Sequence, residues 1–394
     1  MIKSTKVVLS IEYITKYARG LLRGISKYVR FNGPWTILGT PGFHLDPESM
    51  KHTIDFNDIK KFAPDGAILR IAEDYEKVKK LGIPAVLADD NDHAPDAPSI
   101  VSDYEETAKI AAGYLQGRGF KNFAYCGIDE TAWSRHRGDF FEKFTAEAGH
   151  EIYRYEDGKN KSTSNLANRN QLLGQWLMSL PKPIGLFCCT DFRSQQIAEA
   201  ARSAGISIPD EVAVLGVDDD DLFCALTDPP LSSIALDTET AGYEAAELLD
   251  RLMGGEKPQG QRVVVKPTRV ISRLSTEIIA IDDKEIAKAL RFILTHARAW
   301  IQVDDVAEHV GLSRRTLERR FDKLLNRSVY SEIKKTRNQL VSRMLIETNL
   351  TISQISYALG YSCAENMSQS FQRETGIGPQ AYRIKHSTTG HRGS

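Results

Sequence analysis

The chain has 394 residues, 41% of them hydrophobic and 26% charged, and a formal net charge of −1. That length suggests two or three domains, and the composition is that of an ordinary globular protein. No apolar run approaches the roughly 20 residues of a membrane span. The opening "MIKSTKVVLSIEY" lacks a long apolar core and a small-residue cleavage site, so no secretory leader is expected. The five cysteines, Cys126, Cys188, Cys189, Cys224 and Cys363, show no C-x-x-C spacing. An odd number without that spacing fits reduced thiols in a cytoplasmic protein rather than a disulfide framework or a structural zinc site. The near-neutral average hides an asymmetry. Residues 284–394 hold 18 Lys+Arg against 10 Asp+Glu, and the rest of the chain 33 against 42. An acidic body joined to a basic C-terminal segment points to nucleic acid as the partner of the latter.

Over the first 270 residues strand-like and helix-like segments alternate. "KVVLSI" (6–11) is a buried-strand run, and "ARGLLRGISKYV" (18–29) has apolar residues at helical spacing. "WTILGT" (35–40), "DGAILRI" (65–71) and "IPAVLAD" (83–89) read as strands. The helix "TAKIAAGYLQGRG" (107–119) ends on glycine, and the strand "NFAYCGI" (122–128) follows. The pattern continues through "PIGLFCCTD" (183–191), "SQQIAEAARSAG" (194–205), "VAVLGVDD" (212–219) and "TAGYEAAELLDRLMGG" (240–255). Such alternation means βαβ units and a parallel sheet, and the series is long enough to run twice. Two doubly wound lobes are therefore expected, with ligand sites beyond the carboxyl ends of the strands. "RVVVKPTRVISRLST" (262–276) reads as one strand followed by a linker. Beyond it the chain reads as helices alone. The expected organisation is a two-lobed α/β domain over 1–275, a linker over 276–284, an all-α domain over 285–386 and a disordered tail over 387–394.

Within the α domain two pieces share a grammar, "VDDVAEHVGLSRRTLERRF" (303–321) and "ISQISYALGYSCAENMSQSF" (352–371). Val303, Val306, Val310 and Gly311 align with Ile352, Ile355, Leu359 and Gly360. Ser313 aligns with Ser362, and Phe321 with Phe371 after one inserted residue. Each piece is a short helix, a glycine turn, and a serine placed to cap a second helix, which is the pattern of a helix-turn-helix. Leu312, Leu317 and Phe321 hold the second helix down, leaving Arg314, Arg315, Glu318 and Arg319 outward for a major groove. Ser313 and Thr316 at the start of that helix, and Ser362, Ala364, Glu365, Asn366 and Gln369 in the second motif, complete the expected DNA-facing set. One long helix (329–347) joining the motifs would set the two readers about one DNA turn apart, on the order of 34 Å.

Residues 286–385 resemble the AraC/XylS DNA-binding domain, most closely in "GYSCAENMSQSFQRETGIGPQAYR" (360–383), with Arg337 matching the basic residue of the linking helix. The chain departs from that pattern at Asn326, where glycine is usual, and at Asn366 and Met367, where an aromatic pair is usual. The body is similar to the effector domain of LacI/GalR regulators, themselves similar to periplasmic sugar-binding proteins. The similarity lies in "ARGLLRGI" (18–25), "VSDYEETAKIAAGYLQGRGFKNFAYCG" (101–127), "RGDFFEKFTAEAG" (137–149), "FCCTDFRSQQIAEAARSAGISIPDEVAVLGVDD" (187–219) and "PPLSSIALDTETAGYEAAELL" (229–249). A LacI-like sensor with an AraC-like reader at its C-terminus resembles regulators of D-xylose operons. This resemblance implies a sugar effector, D-xylose first, with operator DNA, RNA polymerase and a second copy of the chain as partners, and with no cofactor.

A sugar requires groups that donate and accept hydrogen bonds together, beside an apolar face for the ring. The strand ends offer Asp89 and Asp90, then Trp133, Arg135 and Arg137, then Asp191, then Asp218. By resemblance, Arg137, Asp191 and Asp218 match ligand-contacting positions, and Tyr17 and Arg19 match the rim after the first strand. Other readings stay open. Asp89 and Asp90 also read as a loop or helix caps, Trp133 as lobe core, and Arg137 as a bridge between lobes. Of "DDDD" (218–221) only Asp218 is assigned to the pocket, the remainder reading as a solvated turn. No metal is expected there, because helper ligands at suitable spacing are missing. No G-x-G-x-x-G, G-x-x-x-x-G-K-[ST] or G-x-S-x-G motif occurs, so an enzyme is not expected.

Overall fold

The computed structural model describes residues 5–39, 56–88, 96–128, 131–155, 166–277 and 283–386. Asp89, Asp90, the 387–394 tail and most of the expected linker lie outside the described residues. The chain divides into two compact units, Met1–Ile278 and Ile279–Ser394.

The first unit has two lobes. The first lobe begins with β1 Thr5–Ser10, α1 Lys16–Asn32, β2 Trp35–Gly39, α2 Phe56–Phe62, β3 Gly66–Leu69, α3 Ala72–Lys80, β4 Ala85–Leu87 and β5 Ser99–Ser102. The second is built from α4 Tyr104–Gln116, β6 Phe123–Cys126, α5 Ala132–Glu147, β7 Ile152–Tyr155, α6 Leu166–Ser179, β8 Ile184–Cys188, α7 Asp191–Ser203, β9 Val212–Val217, α8 Asp221–Leu226 and β10 Ser232–Leu236. The chain then returns to the first lobe with α9 Thr238–Met253 and β11 Arg262–Val265, and ends in the second with β12 Pro267–Ile271 and a 3-10 turn at Leu274–Thr276. The first sheet has the order β11-β5-β4-β3-β1-β2 and is parallel throughout. The second has the order β12-β10-β9-β8-β6-β7, with only β12 antiparallel to its neighbour among the described strands. Helices cover both faces of such sheets, which is why β3 and β9 are buried along their whole length and read as unbroken apolar runs.

Three crossings join the lobes, after β5, after β10 and between β11 and β12. They lie side by side: the Asp103 N–H donates to the Val265 carbonyl and the Asp237 N–H to the Lys266 carbonyl, each at 2.9 Å. Both aspartates also cap the helices that follow, α4 and α9. The third crossing corrects one expectation. "RVVVKPTRVIS" is two strands in two sheets rather than one strand and a linker. Pro267, with no N–H to donate, opens the edge strand β12 as the chain changes lobes.

The second unit is helical: α10 Lys284–Thr295, α11 Val303–Val310, α12 Arg314–Leu325, α13 Val329–Glu347, α14 Ile352–Ala358, α15 Ala364–Thr375 and α16 Pro379–His386. It has two separate apolar cores. Ile286, Ile293, Val306, Leu317, Phe321 and Ile333 belong to one, and Val341, Leu345, Ile355, Leu359, Met367 and Phe371 to the other. The turns α11–α12 and α14–α15 pass through Gly311 and Gly360, at φ +70° and +69°, a conformation glycine adopts without a Cβ clash. Asn326 takes the same left-handed conformation at the end of α12, φ +51°, and so performs the capping for which glycine is usual. Met367 is fully buried in the second core.

Candidate functional site

A cavity of about 130 Å³ opens between the lobes of the first unit, room for on the order of ten water-sized groups. The first lobe contributes Thr15 and Tyr17 where α1 begins, Arg70 after β3, and Ser102 at the end of β5. Tyr104 at the start of α4 faces it. The second lobe contributes Trp133 and Arg137 from α5, Thr190 after β8 and Asp218 after β9. Two guanidinium groups, one carboxyl group, several hydroxyls and three aromatic rings therefore converge on one cleft volume. Donors, an acceptor and apolar ring faces are what a polyhydroxylated ring requires.

Arg137 is 4% exposed, donates to the Cys189 carbonyl and lies over the rings of Trp133 and Tyr104, at 5.6 and 5.7 Å. These contacts fix its position before any ligand arrives. Arg70 approaches Glu12 at 3.6 Å. Asp218 has its pKa pushed up to about 7, first by burial and then by the charge of Asp220, against the opposing pull of Arg137, Lys16 and Arg70.

The turn that presents Asp218 is left-handed at two successive non-glycine residues, Asp218 at φ +103° and Asp219 at φ +51°. Each such residue costs on the order of 1–3 kcal/mol and persists only where its surroundings enforce it. Here they do. The Asp218 N–H donates to the Ile234 carbonyl at 2.9 Å, and the Asp219 N–H to Ser233 Oγ at 2.9 Å. The Asp220 N–H donates to Asp191 Oδ2 at 2.7 Å. Asp219 also accepts from Arg273 at 2.7 Å and from Lys16 Nζ at 3.0 Å, while Lys16 reaches its carbonyl as well. Asp220 accepts from the Lys16 N–H and from Arg19 Nη2, both at 3.2 Å. Lys16 and Arg19 stand on α1 of the first lobe, so the turn is pinned from across the cleft.

Several expectations change accordingly. Tyr17, Trp133, Arg137 and Asp218 line the cavity, and Trp133 packs partly on the second-lobe core as well. Asp191 does not reach it. At 1% exposure it lies beneath the turn, its pKa raised well above the carboxylate range by burial and then by Asp218, and it supports Asp220 instead. Gly216 makes the room, since a Cβ there would overlap Asp191 Oδ1. Arg19 is likewise engaged by Asp220 and by the Tyr13 and Ile14 carbonyls, and Arg135 is exposed outside the cavity wall. Asp219 and Asp220 are ion-paired rather than solvated. Arg70, Ser102, Tyr104 and Thr190 went unnoticed in the sequence, although all lie at or just beyond the carboxyl ends of strands, where the doubly wound rule places ligands.

In the second unit the second helix of the first motif forms where the spacing predicts it. Ser313 caps α12, accepting from the Thr316 N–H at 3.2 Å, and Leu317 and Phe321 are fully buried beneath it. Arg315 and Arg319 are exposed and have no hydrogen-bond or ion-pair partner among the described residues. Arg314 is held by Asp304 at 3.0 Å and Glu318 at 3.3 Å. In the second motif the capping position of α15 falls to Cys363, not Ser362. Ser362 Oγ instead accepts from Asn366 Nδ2 at 2.7 Å, a bond that occupies it on the exposed side. Glu365, Asn366 and Gln369 are exposed and Ala364 half-buried.

Comparison with known proteins agrees with this division. Residues 112–276 match the periplasmic binding protein-like domain family and residues 306–385 a helix-turn-helix domain family. The chain is 28% identical to the xylose operon regulatory protein of Haemophilus influenzae, over 96% of this chain and 98% of that one. It is 30% identical to the HTH-type transcriptional regulator GntR of Pseudomonas aeruginosa, over 60% of this chain and 68% of that one. The solved structure of the xylose-binding transcription activator xylR superposes with a TM-score of 0.79 at 27% identity, covering 98% of this chain and 99% of that one. The chain belongs to the helix-turn-helix transcriptional regulators, here with a periplasmic-binding-protein-like sensor preceding a C-terminal DNA-binding domain of AraC type.

Proposed function

We propose that the chain is a D-xylose-responsive activator of transcription. The sugar lies between the lobes, its hydroxyls donating to Asp218 and accepting from Arg137 and Arg70, with a ring face against Trp133 or Tyr17. The observation that carries this reading is the cavity's pairing of one carboxyl group with two guanidinium groups and aromatic rings. It occurs in a chain that resembles xylose operon regulators from end to end. DNA is read by α12 through Arg315 and Arg319, with Ser313, Arg314 and Thr316 at its start, and by α15 through Glu365, Asn366 and Gln369. The active form is a homodimer in the cytoplasm that engages RNA polymerase at its operator. No helix among the described residues is long and apolar enough to cross a membrane.

Isothermal titration with D-xylose, L-arabinose, D-ribose and D-glucose tests the sensor. D-xylose is expected to bind with the highest affinity. Preference for another of these sugars would reassign the effector, and heat from none would overturn the reading of the cavity.

A further inference from the structure

The two helix-turn-helix motifs share one long helix but not one core. The first core ends on α13 at Ile333 and the second begins at Val341. Between them α13 buries Thr336, Arg337 and Asn338, all polar. Apolar packing is therefore interrupted midway between the two motifs, and the middle of the helix is held by polar contacts instead.

Arg337 bridges this gap. At 4% exposure it donates to the Ala299 carbonyl at 2.6 Å and the Ala297 carbonyl at 3.2 Å, both in the segment that leads into α11. Its second terminal nitrogen, Nη2, donates to the Leu359 carbonyl, in the turn of the second motif. The guanidinium plane is covered by two rings, Trp300 at 4.7 Å and Tyr361 at 4.8 Å. Trp300 belongs to the first motif's approach and Tyr361 to the second motif's turn, and the two rings meet edge to face at 5.5 Å. A planar cation with a fixed fork of donors suits this task, since it holds three carbonyls and two rings in one geometry. The clamp also borders the reading surface. Trp300, Arg337 and Tyr361 share a concavity of about 300 Å³ with Asn366, Gln369 and Arg373 of α15.

We propose that the Trp300–Arg337–Tyr361 clamp fixes the distance and rotation between the two reading helices, and so determines which spacing of DNA subsites the protein accepts. Trp300 is then a specificity-determining residue for spacing without reading a base. The residue is 58% exposed, so its ring packs on Arg337 and Tyr361 at the surface rather than within either core.

The test uses the full chain and a duplex selected by it from a random library, with the two subsites of one protomer located by footprinting. One base pair is then inserted or removed between them, a displacement of about 3.4 Å and about 35°. The unmodified protein is expected to lose about tenfold or more in affinity for either derivative, as for one well-read base pair mismatched. Trp300→Ala is expected to bind the parent duplex within about threefold of the unmodified protein, yet to lose only about threefold on the altered spacing. Trp300→Phe, which keeps a ring over the guanidinium, is expected to restore most of the spacing penalty. Arg337→Lys, which loses the planar fork, should behave like Trp300→Ala, with its circular dichroism melt recording that the unit is folded. A spacing penalty unchanged in both Trp300→Ala and Arg337→Lys would overturn the proposal. So would an equal loss on all three duplexes, which would mark a merely structural role.

Discussion

Asp218 is a carboxyl group whose neighbours disagree. Burial and Asp220 favour the protonated form, while Arg137, Lys16 and Arg70 favour the ionised one, and the balance lies at about 7. In the unfolded chain the same group titrates near 3.9. The folded state therefore binds the additional proton between about pH 4 and pH 7, and stability present below that window is lost as pH rises through it. Asp218→Asn removes this loss. The unliganded variant is expected to melt higher than the parent at pH 8 and to match it at pH 4, by calorimetry in matched buffers. Sugar binding runs the other way. A hydroxyl donates best to the carboxylate, so the parent's affinity is expected to rise from pH 6 to pH 8 and that of Asp218→Asn to be weak and flat. An affinity that falls over this range would remove Asp218 from the set of acceptors. At the other end of the chain Arg315 is exposed and free of partners among the described residues, whereas Arg314 is already paired. Arg315→Ala is expected to weaken operator binding by about 1–3 kcal/mol in a mobility-shift titration and to leave sugar affinity unchanged. An intact shift would transfer base reading to other residues of α12. Position was legible in the sequence where a strand end or a helix face dictated it, as for Asp218 beyond β9 and Arg315 on the exposed face of α12, whereas Arg137, within α5, was placed by resemblance. Asp191 was misplaced because a strand-end position says nothing about depth, and Gly216, which lets its carboxylate sink beneath the turn, lies on the neighbouring strand.

At the scale of elements, the turn between β9 and α8 does two jobs with adjacent residues. Asp218 faces the cavity, while Asp219 and Asp220 receive Lys16 and Arg19 from the opposite lobe. The lobes are held together through the residues that flank Asp218 in the same turn. Lys16 and Arg19 are each about one-third exposed, so either pair by itself is worth little, but Asp219 is shared with the more deeply buried Arg273. Asp219→Asn leaves every cavity-lining group in place and is expected to speed sugar release about tenfold, with association nearly unchanged, in stopped-flow measurements. A variant with the parent's release rate would mean that the ion pairs follow closure without supporting it. These pairs were hidden in the sequence, where "DDDD" has the composition of a solvated turn and its partners lie some two hundred positions away. Alternation of strands and helices gave the parallel sheets directly, because sheets covered on both faces need unbroken apolar strands. The split of "RVVVKPTRVIS" did not show, since Pro267 marks a change of direction but not the lobe to which the chain turns. Nor did the cap of α15, where a serine one position too early competes with Cys363.

At the scale of the whole molecule, an acidic unit and a basic unit on one chain offer two binding equilibria whose linkage is open to direct measurement. DNA affinity is expected to fall steeply with salt through released counterions, while a neutral sugar's affinity is not, so the two must be compared at one ionic strength. If sugar favours a state of the sensor that binds DNA better, the cycle linking the four species closes only when DNA favours sugar by the same factor. Allosteric coupling is typically about 1–3 kcal/mol, or roughly 5–150-fold in affinity. The measurement is a D-xylose titration of the full chain with and without saturating operator duplex, paired with operator titrations with and without saturating sugar. Equal ratios well above one are expected. Ratios of one in both directions would leave two independent binding units on a shared chain and would exclude regulation of DNA affinity by the sugar. Activation would then have to act after binding, through what the bound protein presents to polymerase. The Asp219→Asn variant sharpens the comparison. Weakening the Lys16–Asp219 pair should lower sugar affinity in the presence and absence of DNA alike if it only supports closure. It should instead reduce the coupling ratio itself if closure of the lobes is the signal the reader receives.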